Sequence, residues 1–220
     1  MKFDIITIFP SIFDSYFNES IIKRAQKKGL ASFNIINLRN YTADRHKTVD
    51  DTPYGGGAGM VLKIEPIAKA IGSTKLKVQS SKFKVVLLSA RGKKWNQQLA
   101  KKYSKLDEII FICGRYEGVD ERVKKLVDDE ISVGDYVLTG GELGAMIIVD
   151  SVTRLLPGVL GNSQSAVNES HSEPGLLEYP QYTRPEVYMI DKKNHRVPKI
   201  LLSGDHKKIE SWRKKKMRQT

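Results

Sequence analysis

The stretch SVGDYVLTGGELGAM (132–146) holds four glycines, Gly134, Gly140, Gly141 and Gly144. Glycine loses more backbone freedom on folding than any other residue, so such a density needs a physical reason. Something must approach this main chain so closely that side chains are excluded. Two more glycine-bearing turns follow apolar runs, LLSARGKKW (87–95) and FICGRYEGVDER (111–122). Any one of these alone is an ordinary tight turn. Three together at strand ends would make a pocket of backbone N–H and C=O groups, suited to a ligand with an adenine-like edge and little formal negative charge.

Several other chemistries are excluded. No G-x-x-x-x-G-K-[ST] phosphate loop occurs, and the third glycine of a dinucleotide fingerprint in GGGAGM would fall on Met60. No G-x-S-x-G elbow is present, since GNSQS fails at its last position. His46, His171, His195 and His206 are scattered without metal-ligand spacing.

The turns need elements to hold them. Residues 2–9 read as a buried strand, and residues 13–28 as one helix stopped by Gly29 in a left-handed cap. Residues 31–38 form a second strand. The long polar stretch 39–60, rich in glycine and containing Pro53, forbids regular structure and is long enough to be functional. A short helix at 64–72, a strand at 82–89, a helix at 96–103 and a strand at 108–113 follow. Residues 118–127 read as helical, 129–138 as a strand entering a loop, and 141–156 as a helix ended by Pro157. Strands that are nearly continuous runs of Ile, Val, Leu and Phe, alternating with helices, imply an α/β fold: a mainly parallel sheet with helices on both faces.

After Pro157 the texture becomes small and polar, which predicts a flexible linker before aromatic and basic sequence resumes. The expected organisation is a ligand-binding domain at 1–160, a linker at 161–174 and a second domain at 175–220. The chain has 220 residues, 40% hydrophobic and 28% charged, with a net charge of +12. Residues 91–105 carry Arg91, Lys93, Lys94, Lys101, Lys102 and Lys105 with no acid, and residues 207–220 carry seven Lys or Arg against Glu210. Two such patches suit a polyanionic partner, although a solvated lysine-rich surface gives the same composition. Cys113 is the only cysteine, so neither an intrachain disulfide nor a cysteine-rich metal site can form, and a reducing cytoplasm is favoured. The start MKFDIITIFPSIF reads as a strand rather than a signal peptide, and no apolar run is long enough to span a membrane.

The motifs CGRYEGVDER, SVGDYVLTGGEL, RLLPGVLG, YTRPEV and ILLSGDH resemble the bacterial tRNA (guanine-N1)-methyltransferase family, within the knotted SPOUT-type superfamily of S-adenosylmethionine-dependent enzymes. DIITIFPSIF and DDTPYGGGAGMVL match it too, so the resemblance covers essentially the whole chain. It implies a deep trefoil knot near the glycine-rich loops, an obligate homodimer with each active site built across the interface, and a small, mainly helical C-terminal domain that grips tRNA. It implies methyl transfer to N1 of the guanosine immediately 3′ of the anticodon (position 37). Leu88, Ser89, Gly92, Gly114, Val133, Gly134, Asp135, Tyr136, Val137, Leu138, Gly140 and Gly141 would then lie against S-adenosylmethionine. Tyr116 and Glu117 would contact the cofactor's methionine portion or the target base. Ala90-Arg91 stands where the family commonly has Pro-Gln.

Guanine N1 carries a proton at neutral pH and is a poor nucleophile until that proton leaves, while negative charge builds on O6. The resemblance assigns the base to a linker carboxylate in a D-S motif, matched here by Glu169 in NESHS, and the O6 donor to Arg154. On the residues alone, Glu169 is a solvated linker carboxylate and Arg154 a cation complementing a helix C-terminus. The resemblance also allows Mg2+ near Glu117 and Glu169, with no ligand set readable from sequence. A knotted ribose 2′-O methyltransferase and a non-catalytic RNA-binding relative are the alternatives.

Overall fold

The computed structural model describes residues 1–161 and 169–219, in two compact units, Met1–Gly161 and Asn162–Thr220. The first unit opens with β1 (Lys2–Thr7), α1 (Asp14–Phe17), α2 (Ser20–Lys27) and β2 (Ser32–Asn37). The short ribbon of β3 (Asp50–Asp51) and β4 (Val61–Leu62) precedes α3 (Ile64–Lys75), β5 (Phe83–Lys94), α4 (Gln97–Tyr103) and β6 (Glu108–Cys113). The unit closes with β7 (Asp129–Ser132) and α5 (Glu142–Thr153).

Five strands form one parallel sheet in the order β2-β1-β6-β5-β7. Alternation along the strands places the core on both faces. Phe3 and Ile5 of β1, Val86 and Leu88 of β5, and Ile109 and Phe111 of β6 pack with Ile22 and Ala25 of α2 and with Ala145, Ile148 and Val152 of α5. Their neighbours Ile6, Val85, Leu87, Ile110 and Ile112 pack on the other side with Ile67, Ala70 and Ile71 of α3. The expected α/β class, with a parallel sheet covered twice, is what the chain builds.

The differences are local and have local causes. The single helix expected at 13–28 is a 3-10 turn (Pro10–Phe13) followed by α1 and α2, because Ser20 takes a left-handed φ of 48°. Asn18 Nδ2 donates to the Asp14 carbonyl at 2.7 Å, and Gln26 Nε2 to that of Phe17 at 2.6 Å, so side chains satisfy the interrupted ends. Gly29 does cap α2, at φ 67°. The helix expected at 118–127 is a 3-10 turn, Glu121–Leu126, started by Asp120, whose carboxylate accepts from the Arg122 N–H. The stretch 39–60, read as irregular, contributes part of a 3-10 turn (Leu38–Tyr41) and pairs Asp50 with Leu62 and Asp51 with Val61.

The strand expected at 82–89 continues to Lys94 through an irregularity. Leu88 and Lys93 both pair with Ile131 of β7, so the intervening residues leave the sheet and return against the same neighbour. Gly92 makes that return possible: a Cβ there would lie 2.4 Å from the Ile131 nitrogen and 2.6 Å from the Glu130 carbonyl carbon.

The second unit is mixed rather than mainly helical. β8 (Leu176–Leu177) pairs with β11 (Arg218–Gln219), and β9 (Val187–Ile190) forms a hairpin with β10 (Lys193–Arg196). Asp191 and Lys192 turn that hairpin with φ of 48° and 61°, the geometry a two-residue loop requires. α6 (His206–Lys216) starts at Asp205, whose carboxylate accepts from the Lys208 N–H at 3.1 Å. Of the linker expected at 161–174, residues 162–168 lie outside the described residues. Glu169 to Pro174 fold into turns: the His171 N–H donates to the Leu176 carbonyl at 2.6 Å, and the Glu178 N–H to Ser170 Oγ at 3.0 Å. Among the described residues no helix is long and apolar enough to cross a membrane.

Candidate active site

β5, β6 and β7 are parallel neighbours, so their carboxyl ends reach one edge of the sheet, where open α/β sheets bind ligands. The loops that follow them enclose a cavity of about 410 Å³, within the range of small-molecule sites. Leu87 to Arg91 form one wall, Gly114 to Val119 a second, and Val133, Gly134 and Tyr136 to Gly141 a third, with Gly144 at the start of α5. The walls are tied together by main chain. The Gly141 N–H donates to the Gly114 carbonyl at 2.9 Å, and Arg115 and Gly140 form an isolated antiparallel bridge.

This geometry revises the reason for the glycines. At Gly141 a Cβ would lie 2.8 Å from the Cys113 Cα, and at Gly140 it would meet Glu142 Oε2 at 2.4 Å and Arg115 Nη1 at 2.5 Å. At Gly134 it would strike the Tyr136 ring at 2.3 Å. The close contact at Gly141 is with the backbone of a neighbouring segment, so loop packing demands that glycine, whereas Gly134 and Gly140 make room for the side chains of Tyr136, Glu142 and Arg115. Gly114 is the exception, since its Cβ would make only ordinary contacts at 3.6 Å, and a larger side chain there would be limited by the cavity.

The structure brings Leu88, Ser89, Gly114, Tyr116, Glu117, Val133, Gly134, Tyr136, Val137, Leu138, Gly140 and Gly141 to one cavity. Gly92 and Asp135 are not in its wall: Gly92 sits against β7, and Asp135 pairs with Lys94. Arg154 is not there either. It forms the C-cap of α5, about 20 Å from Gly141 at the N-cap, at roughly 1.5 Å of rise per residue. Glu169 is half-buried in the second unit, its carbonyl accepting from the Ser172 N–H at 3.0 Å. Among the described residues no group of three His, Cys, Asp or Glu side chains is placed to hold a metal ion.

Two supports escaped the sequence reading. The first is Glu142, which is 1% exposed in the first turn of α5, where the helix dipole favours an anion. Thr7 Oγ1 donates to its Oε1 at 2.8 Å, which ties the end of β1 to α5. Arg115 Nη1 stands 3.5 Å from Oε2, an ion pair too loose to be a hydrogen bond, and donates to Thr139 Oγ1 at 3.2 Å. Its guanidinium also lies 4.8 Å over the Phe9 ring. Glu142 therefore holds a cation that spans two loops of the cavity. Burial, with the Glu142 charge nearby, pushes the Cys113 thiol well above its ordinary range, so this cysteine stays a protonated core residue.

The second support is Gly59. It holds φ at 84°, and a Cβ there would lie 2.6 Å from Glu117 Cγ. The Glu117 N–H donates to the Met60 carbonyl at 3.0 Å, Leu62 N–H to Gly118 and Asp120 N–H to Leu62. The glycine-rich loop thus braces the turn carrying Tyr116 and Glu117. Tyr116 adopts φ of 57°, a conformation uncommon for a side chain of its size, and is half exposed at the cavity. The sequence signal was GGGAGM itself, which read as a loop with no stated target.

With this geometry in view, the whole chain, residues 1–220, matches the family model described as tRNA (Guanine-1)-methyltransferase TrmD. A tRNA (guanine-N(1)-)-methyltransferase of Carboxydothermus hydrogenoformans is 54% identical over 216 residues, 98% of this chain and 82% of that protein. One from Geobacter sp. (strain M21) is 56% identical over 216 residues, 98% of this chain and 84% of that protein. The crystal structure of tRNA (m1G37) methyltransferase from Aquifex aeolicus superposes with a TM-score of 0.79 at 44% identity, covering 96% of this chain and 87% of that one.

Proposed function

We infer that this chain, which belongs to the tRNA (guanine-1)-methyltransferase family, transfers a methyl group from S-adenosylmethionine to N1 of a guanine in tRNA, the one immediately 3′ of the anticodon. The observation that carries the reading is the single cavity that gathers the carboxyl ends of three parallel strands, inside a chain that matches the family from end to end. The cavity fits the donor chemically. Leu87, Leu88, Val133, Val137 and Leu138 offer an apolar surface to a purine, exposed main-chain groups offer polar partners, and Glu117 offers a carboxylate to a cationic group. The knot expected from the resemblance is supported by the return of the β5 segment against Ile131, with Gly92 pressed on β7.

When bound, S-adenosylmethionine supplies an electrophilic methyl on a sulfonium. The chain's work is then to position guanine and to move one proton. In the proposed mechanism Glu169 takes the proton from N1, whose lone pair closes on the methyl carbon as the carbon–sulfur bond breaks and its electron pair stays on sulfur, leaving S-adenosylhomocysteine. Arg154 donates to O6 as charge gathers there. Tyr116 and Glu117, braced by Gly59, orient the base or the donor. A flipped guanine, read along its Watson–Crick edge, accounts for base choice.

Arg154 cannot reach the cavity of its own chain along a rigid α5, which supports a homodimer in which Arg154 and, in the proposed mechanism, Glu169 serve the partner's site. Exposed apolar side chains support that dimer. Leu143 and Ile147 lie exposed on one face of α5, Asp150 on the same face accepts from the Tyr16 hydroxyl, and Phe9, Ile12 and Tyr16 are exposed alongside. Contiguous exposed apolar side chains of this kind mark protein interfaces. The proposed roles are donor binding for residues 1–160, catalysis for the linker at 161–174 and tRNA grip for residues 175–220, whose α6 is strongly basic. A tRNA substrate would place the protein in the cytoplasm.

The test is incubation with methyl-labelled S-adenosylmethionine and tRNA transcripts carrying G or A just after the anticodon. Label is expected on N1 of the G transcript alone. Label on ribose would favour a 2′-O methyltransferase, and tRNA binding without label a non-catalytic relative.

A further inference from the structure

We propose that the aromatic cavity of the second unit is a stacking site for one unpaired nucleobase of the bound RNA, an inference that rests on the reading of tRNA as substrate. The cavity, of about 520 Å³, is formed by the Tyr179–Arg184 segment together with the start and middle of α6 and the turn before it. Tyr182 and Trp212 meet with ring centroids 6.3 Å apart and planes at 58°. Rings at that angle do not spend their faces on each other, and Tyr182 is 49% exposed. The Arg213 guanidinium lies 4.9 Å from the Tyr179 ring centre, which presents a planar cation at the cavity wall. Leu201 and Ile209 supply an apolar lining.

Charge selects the occupant. α6 carries Lys207, Lys208, Arg213, Lys214, Lys215 and Lys216 against Glu210, and the wall adds Arg184 against Glu186, so the approach to the cavity favours a polyanion. A paired duplex hides its base faces in the stack. An unpaired base offers a flat face that aromatic side chains and arginine planes accept, whatever its identity. The site therefore contributes sequence-tolerant affinity, while cations around it engage phosphates.

Trp212 is its own reporter. The other tryptophan, Trp95, packs edge-on against Tyr103 in the first unit and is replaced by Phe for the measurement. In full-length Trp95→Phe protein, titration with the tRNA transcript is expected to quench Trp212 emission, and sodium polyglutamate is not. Tyr182→Ala is expected to weaken tRNA binding by about 5- to 150-fold without changing the salt dependence, and Tyr182→Phe to retain it. Arg213→Ala should lower the slope of log K against log salt by about one. If Tyr182→Ala does not fold, the quenching of unmutated Trp212 decides. Binding of tRNA with unchanged Trp212 emission, wild-type affinity in Tyr182→Ala, or equal quenching by polyglutamate overturns the stacking site and leaves methyl transfer standing. No tRNA binding by the wild-type protein overturns both.

Discussion

At the scale of single residues, the proposed chemistry rests on a carboxylate of the second unit and a guanidinium at the C-cap of α5. Glu169→Gln keeps size and hydrogen bonding but cannot take a proton, so transfer should be lost while tRNA and donor still bind. Single-turnover rates near wild type would remove Glu169 from the mechanism. Arg154→Ala should cost about 2.7–4 kcal/mol of transition-state stabilisation, the range for one donor to a developing oxyanion. An effect confined to tRNA affinity would contradict that role. Gly141→Ala should destabilise the fold by about 1–3 kcal/mol, because its methyl meets the Cys113 backbone rather than empty space; urea unfolding measures this directly. The positions of these glycines were legible in the sequence. Their reason was not, because packing of one loop against another leaves no local signature. Glu142 was illegible for a similar cause. An acid in the first turn of a helix is commonplace, and only the fold brings Thr7 and Arg115 to it.

Among the elements, buried strands were the easiest to read. EIIFIC forms a strand with the expected bounds, a short Ile-rich run buried at all six positions between two sheet neighbours. Helices interrupted by tertiary demands were harder. Ser20 breaks the 13–28 segment through a backbone conformation that no propensity announces. The outward and returning path of β5 depends on β7, some forty residues later. At the opposite end of the sheet from the cavity, Lys2 Nζ bridges Asp4 at 2.8 Å and Glu108 at 3.0 Å. Burial first, and the neighbouring Asp4, raise the Glu108 carboxyl above its ordinary value, with Lys2 opposing them. The native state then holds this proton more tightly than the unfolded chain does. Its contribution is fully present below the unfolded value and is lost as pH rises through the folded one. The difference in unfolding free energy between wild type and Glu108→Gln should therefore shift toward the variant as pH rises above 4.5. A pH-independent difference, followed by urea unfolding, would show that Glu108 titrates normally.

For the molecule as a whole, two compact units and a basic second unit were legible from composition, since the texture changes after Pro157 and cations cluster near the end of the chain. The proposed division of the site between subunits was not, because residues of two copies carry no mutual spacing in one sequence. The distance from Gly141 to Arg154 along α5 raises that division, and it can be measured in mixed dimers. One variant, Glu169→Gln, keeps its cavity. The other, Gly114→Leu, fills the cavity but keeps its carboxylate. Each alone should be inactive. Unfolded and reassembled together in equal amounts, they form dimers in which one cavity faces an intact Glu169, and about one quarter of wild-type methyl transfer should return. Activity that stays at the level of the separate variants, with mixed dimers demonstrated by mass, would show that each chain works alone.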